Sequence, residues 1–240
     1  MACENVFIVG GSRGIGAAMV RLFSHAGYRV AFTYASSCEQ AKAIVDETGA
    51  FAIRANSLVR SEIDKALLLF HENLGEADIL INNAAMSKIE LFTDMTDETW
   101  EQMRTVNLDA PMYYTKRLLP DMIRKKHGHI IQISSMWGQV GASCEVAYST
   151  TKAALIGFTK ALAKEVGPSG ITVNAIAPGV IRTEMNASLD EEALAALCEE
   201  TPLGRLGTPE EVAKTALFLV GEGGNFITGQ VISPNGGFVV

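Results

Sequence analysis

The sequence predicts an α/β fold: a doubly wound parallel β-sheet with helices on both faces, formed by one domain over residues 1–240. Three observations carry this expectation. Short apolar, β-rich runs alternate with stretches of helical periodicity along the whole chain, the pattern of successive βαβ units. The first run, NVFIVG at 5–10, passes at once into GGSRGIG and then into a helix. Small or polar residues follow later runs, Asn82-Asn83-Ala84-Ala85 and Pro178-Gly179, where strand ends open onto the crevice of such a sheet.

Taken in order, the apolar spacing predicts a helix over 17–26 that stops at Gly27, a residue suited to a helix C-terminus. YRVAFTY, 28–34, reads as the second strand. A helix over 39–48, a strand over 50–55, a helix over 59–73 and a strand over 78–81 continue the alternation. A long helical stretch, 97–127, contains Asn107, Pro111 and Pro120; Pro111 removes one helix hydrogen bond and predicts a kink there. A fifth strand at 129–135, a helix at 147–166 and a sixth strand at 171–177 follow. An acidic helix at 190–200, a helix at 209–220 and a last short strand at 230–233 complete the chain.

With 48% apolar residues the 240-residue chain can bury a large core. No apolar run reaches the ~20 residues of a membrane helix, and the first residues lack the basic and apolar regions of a signal peptide. The formal charge of −7 argues against nucleic acid as a partner. Cys3, Cys38, Cys144 and Cys198 fit neither a disulfide framework nor a metal-ligand spacing. Together these features predict a cytoplasmic protein without membrane partner or metal.

The glycine turn is suited to phosphate. Gly10 and Gly14 permit tight turns, Gly16 permits close helix–strand packing, and the helix N-terminus offers free N–H groups to a pyrophosphate, with Ser12 and Ile15 completing the loop. This is the context of a Rossmann dinucleotide site. An acid at the end of the second strand would select NAD through the free ribose 2′-hydroxyl. Here Thr33, Tyr34, Ala35, Ser36 and Ser37 stand there, with no acid before Glu39. Arg13 in the loop can pair with a 2′-phosphate, so NADP(H) is the expected cofactor. Tyr148 and Lys152, four apart on a helix, share a face. A lysine ammonium beside a phenol favours the phenolate and is expected to pull its pKa down from about 10. Ser135, at the end of the fifth strand, can hydrogen-bond the same substrate oxygen.

Gly10, Gly14-Ile15-Gly16, Asn82-Asn83-Ala84, Asn107, Ser135, Tyr148-x-x-x-Lys152 and Pro178-Gly179 with Thr183 occur in an order and spacing that resembles the short-chain dehydrogenases/reductases over essentially the full chain. The resemblance implies reduction of a ketone, with Tyr148 as proton donor, Lys152 binding the nicotinamide ribose, Ser135 orienting the substrate and Asn107 holding a water. It also implies that Pro178, Gly179, Ile181 and Thr183 surround the nicotinamide, that Asn83 and Ala84 flank the adenine side, and that Tyr34 and Asn56 lie near the adenosine. The family's glycine motif usually opens on threonine, absent here, and Asn56 stands where an aspartate is common. Family members mostly form tetramers, so a homotetramer is expected.

Within the family, TPLGRLGTPEEVA and ITGQVISPNGG resemble bacterial 3-oxoacyl-acyl-carrier-protein reductases. Lys125 and Lys126 are then expected to form a basic patch near the site, while Ser169 stands where those enzymes often carry arginine. SSMWGQVGASCEVAYS, GPSGI and LFTDMTDETW resemble more closely the elongation factor P 5-aminopentanone reductases, whose ketone is carried on a protein lysine. Met136, Trp137, Cys144 and Glu145 are expected to wall the substrate pocket. Glu145 and the acidic run Asp190, Glu191, Glu192, Glu199 and Glu200 suit a cationic substrate or partner. On this reading the amino ketone comes first and the 3-oxoacyl thioester second.

Overall fold

The structure, a computed structural model, describes residues 3–184 and 191–240. Seven strands form one sheet: β1 Asn5–Val9, β2 Arg29–Tyr34, β3 Phe51–Arg54, β4 Ile79–Asn82, β5 Gly128–Ile133, β6 Ile171–Ile176 and β7 Val231–Ile232, in the order β3-β2-β1-β4-β5-β6-β7. Every pairing is parallel. The strands are mostly apolar because helices cover both sheet faces. Alternate side chains of one strand feed two cores: Val6 and Ile8 join one, Phe7 and Val9 the other.

The first core is closed by α1 (Gly14–His25), α2 (Cys38–Thr48) and α9 (Pro209–Val220), the second by α3 (Arg60–Leu74), α5 (Ala110–Lys125) and α7 (Val146–Val166). Helix α9 starts on a capping box: Thr208 accepts from the Glu211 N–H, and the Glu211 carboxylate accepts from the Thr208 N–H. Strand order reverses between β1 and β4, so the crevice of the fold lies beyond their C-terminal ends. Gly10, Asn83 and Ser135 all follow strands on that edge.

Two features differ from the sequence expectation, and a third agrees with it. The stretch 97–127 is not one helix kinked at Pro111. It is α4 (Asp97–Arg104), a π-helical turn Thr105–Asp109, then α5 with Pro111 in its first turn and Pro120 inside. Proline is tolerated at a helix start, where its missing N–H is not needed, so the irregularity falls before it. A short helix, α6 (Trp137–Val140), stands between β5 and α7. The acidic segment folds as α8 (Glu191–Glu200); Asp190 lies outside the described residues.

Candidate active site

The glycine turn packs too closely to admit side chains. Gly10 has φ +80°, and a Cβ there would lie 2.8 Å from Ala84 Cα; at Gly16 it would lie 1.9 Å from the Gly10 oxygen. Neighbouring strands brace the turn: the Gly10 N–H donates to Thr33 Oγ1 at 3.0 Å, and Asn83 Nδ2 donates to the Gly10 oxygen at 2.6 Å. The Thr33 hydroxyl thus supplies from β2 what the missing motif threonine would have supplied locally. At the start of α1, Arg13 makes no side-chain cap and the first turn holds no acid. Its first N–H groups therefore meet a glycine-lined space, which fits a pyrophosphate.

The adenosine end fits a phosphorylated ribose. Arg13 pairs with Glu184 at 3.1 Å, both side chains more than half exposed, a contact weak enough to be exchanged for a phosphate. Tyr34 is paired in register with Arg54, whose Nε donates to the Ala35 oxygen at 3.3 Å. Sequence reading missed Arg54, although a basic residue in register with the end of β2 was a usable signal. Asn56 Oδ1 accepts from the Leu58 N–H at 3.0 Å, so it shapes the turn after β3. Thr183 stands over the glycine turn, 3.2 Å from a Cβ built on Gly14, and Ile181 bridges Gly207. The Met136 N–H donates to the Pro178 oxygen and the Gly179 N–H to the Pro234 oxygen. This fixes the Pro178-Gly179 loop to the segment after β5.

Tyr148, Lys152, Ser135 and Asn107 come from α7, the end of β5 and the π turn. Lys152 is 2% exposed. Its Nζ donates to the Ile133 oxygen at 2.7 Å and lies 5.6 Å from the centre of the Tyr148 ring. Ser134 Oγ donates to the Lys152 oxygen at 2.8 Å, fixing α7 against β5. Ser135 Oγ accepts from the Trp137 N–H at 3.1 Å, which leaves its own proton for another acceptor. Asn107 is fully engaged: Oδ1 accepts from the Met86 N–H at 2.8 Å, and Nδ2 donates to the Met86 oxygen at 2.9 Å and to Thr151 Oγ1 at 3.2 Å. Its amide is a strut between the π turn, the loop after β4 and α7. The residue an α-helix would use as donor to the Asn107 carbonyl is Pro111, which has no N–H.

The electrostatics correct the sequence expectation for the pair. Burial pushes the Tyr148 phenol up to about 12, with Ser135 lowering it and Glu145 raising it further. Burial pushes the Lys152 ammonium down to about 7. For Tyr148, desolvation outweighs the opposing hydrogen bond of Ser135. At neutral pH the tyrosine is a protonated phenol, and the lysine is poised to exchange a proton.

On the substrate side, Glu145 Oε1 accepts from Ser87 Oγ at 2.6 Å. Cys144 adopts φ +61°, and its oxygen accepts from the Glu90 N–H at 2.9 Å. Glu90 pairs with Lys88 at 2.7 Å through Oε2, while Oε1 is buried without a hydrogen-bond partner among the described residues. Glu90, Phe92, Met103 and Cys144 share a small cavity. Trp137 packs edge-on to Phe238 at 5.5 Å, whereas Met136 is only 1% exposed. Lys125 and Lys126 are not at the mouth of the site. They end α5 ahead of β5, on the opposite edge of the sheet, with Lys125 paired to Asp78. Ser169, in the turn before β6, lies on that same far edge.

The family model described as enoyl-(acyl carrier protein) reductase matches residues 9–239. A 3-oxoacyl-[acyl-carrier-protein] reductase of Aquifex aeolicus is 43% identical over 236 residues, covering 96% of this chain and 95% of the relative. An acetoacetyl-CoA reductase of Rhizobium meliloti is 42% identical over 231 residues, covering 96% of each. The chain belongs to the short-chain dehydrogenase/reductase family. Among solved structures, a Serratia marcescens short-chain dehydrogenase/reductase mutant superposes with a TM-score of 0.91 at 33% identity, covering 99% of this chain and 98% of that one. A blue fluorescent protein from a metagenomic library, solved in complex with NADPH, gives 0.92 at 33% identity with the same coverage. Like these relatives, the protein is an oxidoreductase acting on the C=O/CH–OH couple.

Proposed function

We propose that this protein is an NADPH-dependent reductase of 3-oxoacyl thioesters. The observation that carries the chemistry is a buried, protonated Tyr148 phenol beside Ser135 and Lys152, on the sheet edge that also holds the glycine cradle. NADPH is favoured because the end of β2 has no acid to repel a 2′-phosphate while Arg13 and Arg54 flank it. The cofactor would lie along the turn 10–16, Asn83-Ala84 and the loop 178–183, and when bound it supplies a hydride. Ser135 donates a hydrogen bond to the ketone oxygen, and Tyr148 delivers the proton that turns it into an alcohol. Lys152 reprotonates Tyr148, fed by water held on the Asn107 carbonyl. The 3-oxoacyl substrate is favoured by the reductases of such substrates among the relatives. Lys125, Lys126 and Ser169 lie on the far edge of the chain's own sheet, away from its own Tyr148.

One observation favours a second reading. Glu145 is near enough to Tyr148 to raise its pKa, and Glu90, paired with Lys88, keeps one buried oxygen without a hydrogen-bond partner among the described residues. These suit the ammonium of a 5-aminopentanone group carried on elongation factor P. NADPH oxidation with acetoacetyl-CoA, with an acetoacetyl-acyl carrier protein and with aminopentanone-modified factor separates the two. Turnover of the modified factor alone would replace the first reading with the second. Tyr148→Phe removes the proton donor, so turnover should fall by about 10²–10⁴-fold while NADPH still quenches protein fluorescence; undiminished turnover would remove Tyr148 from the mechanism. We also propose a cytoplasmic homotetramer. Four free thiols and exposed Leu91, Phe92, Val146 and Val240 support that reading, and a light-scattering mass tests the assembly.

A further inference from the structure

At the sheet edge opposite the site, Glu4, His127 and His129 converge although they are far apart in the chain. Glu4 immediately precedes β1, His127 lies in the turn between α5 and β5, and His129 is the second residue of β5. One ligand atom from each, a ring nitrogen or a carboxylate oxygen, lies within 4.8 Å of the other two. His127 Nε2 is 2.7 Å from Glu4 Oε1, and the two imidazoles stand edge to face with centres 5.3 Å apart. His129 is 6% exposed, with Nδ1 2.8 Å from Thr172 Oγ1 on β6. If that nitrogen carries the proton, Nε2 keeps its lone pair, the arrangement in which a hydroxyl or carboxylate behind a histidine orients it for a metal. Glu4 and His127 are partly exposed, so an ion can reach the set from solvent.

We propose that Glu4, His127 and His129 form a zinc-binding site that ties the start of β1 to β5 across β4. Two imidazoles and one carboxylate suit a borderline-soft divalent ion rather than magnesium or calcium, which prefer all-oxygen shells. Zinc bonded at about 2.0–2.1 Å holds tetrahedral ligands about 3.4 Å apart, so small side-chain rotations of Glu4 and His127 close the set. Water takes the fourth position. The ion replaces the proton shared by Glu4 and His127 and lies away from Tyr148, so its effect is on the stability of this edge. Scattered cysteines gave no reason to expect a metal; the site uses histidines that the sequence spacing does not single out.

The test is calorimetric titration of zinc chloride into the untagged, metal-free chain, repeated with Glu4→Gln, His127→Gln and Thr172→Val. Saturable 1:1 binding is expected, accompanied by a higher melting temperature. Each ligand substitution should weaken it at least tenfold, and Thr172→Val by about 10–100-fold. Glu4 and His127 lie at the surface, so these two variants keep the fold and make the result readable. Three results would each overturn the proposal: no saturable binding, binding undiminished in both ligand variants, or binding lost on Cys3→Ser alone, which would place the ion on a thiol.

Discussion

Replacing Lys152 by methionine should abolish turnover and yet make the protein more stable. Methionine keeps the length of the buried stem and removes the ammonium. A fall in the lysine pKa from 10.5 to about 7 corresponds to a burial cost of at most about 5 kcal/mol, at ~1.4 kcal/mol per tenfold. Against this, the variant leaves the Ile133 carbonyl without the donor it has at 2.7 Å, a loss of about 1–3 kcal/mol. The net gain is at most about 2–4 kcal/mol, or roughly 4–16 °C for a chain of this size. Its pH dependence identifies the cause. The folded-state pKa lies below the unfolded one, so between about 7 and 10.5 the unfolded wild-type chain holds more protons than the folded chain. Wild-type stability therefore rises with pH across that window. The methionine variant has no such slope, so its advantage is largest at or below neutral pH and shrinks towards about pH 10. Differential scanning fluorimetry of both proteins without cofactor, at about pH 6.5 and about pH 9.5, reads this directly. A lower melting temperature for the variant at the acidic value, or a gain equal at both, would refute the reasoning.

Two further substitutions probe the cofactor cleft. Arg13→Ala should raise the Kd for NADPH by about tenfold, the worth of one charge-assisted hydrogen bond, and leave that for NADH unchanged; equal losses in a fluorescence titration would remove the 2′-phosphate contact. Gly16→Ala places a Cβ 1.9 Å from the Gly10 oxygen, so the turn must shift. It should lose at least about 1–3 kcal/mol of stability together with cofactor binding, and an unchanged melting temperature would show that the cradle is not tightly packed.

What could be read in the sequence was whatever local physics fixes. The glycine turn was legible because positive φ at Gly10 and close packing at Gly10 and Gly16 admit no side chain. Tyr148 and Lys152 were legible because a helix brings i and i+4 together. Asn107 was found, but not its geometry. Its amide reaches Met86, 21 residues away, and no local signal marks a π turn held by such a contact. The steadying of Gly10 by Thr33 comes through a parallel pairing of β1 with β2 and is likewise non-local. Lys125 and Lys126 were misplaced for a reason the sequence did contain. Residues just ahead of a strand lie on the N-terminal edge of a parallel sheet, and the site of such a fold lies beyond the C-terminal edge.

The direction of the Tyr148 and Lys152 shifts is the least local property of all, because it depends on how much water the finished fold removes. Opposite charges four residues apart suggest attraction; the structure makes burial dominate both groups. That changes what the pair is suited to do. A phenol held at about 12 is protonated at neutral pH, so the proton a ketone oxygen needs is in place, but burial holds it more tightly than on a free phenol. Oxidation of an alcohol requires the phenolate, which must form against the same burial. The Ser135 hydrogen bond favours that form, and so would a positive charge brought beside it, such as the Lys152 ammonium released from the Ile133 carbonyl. At neutral pH burial thus leaves Tyr148 in the protonation state that reduction uses, and the reverse reaction should gain most from raising the pH.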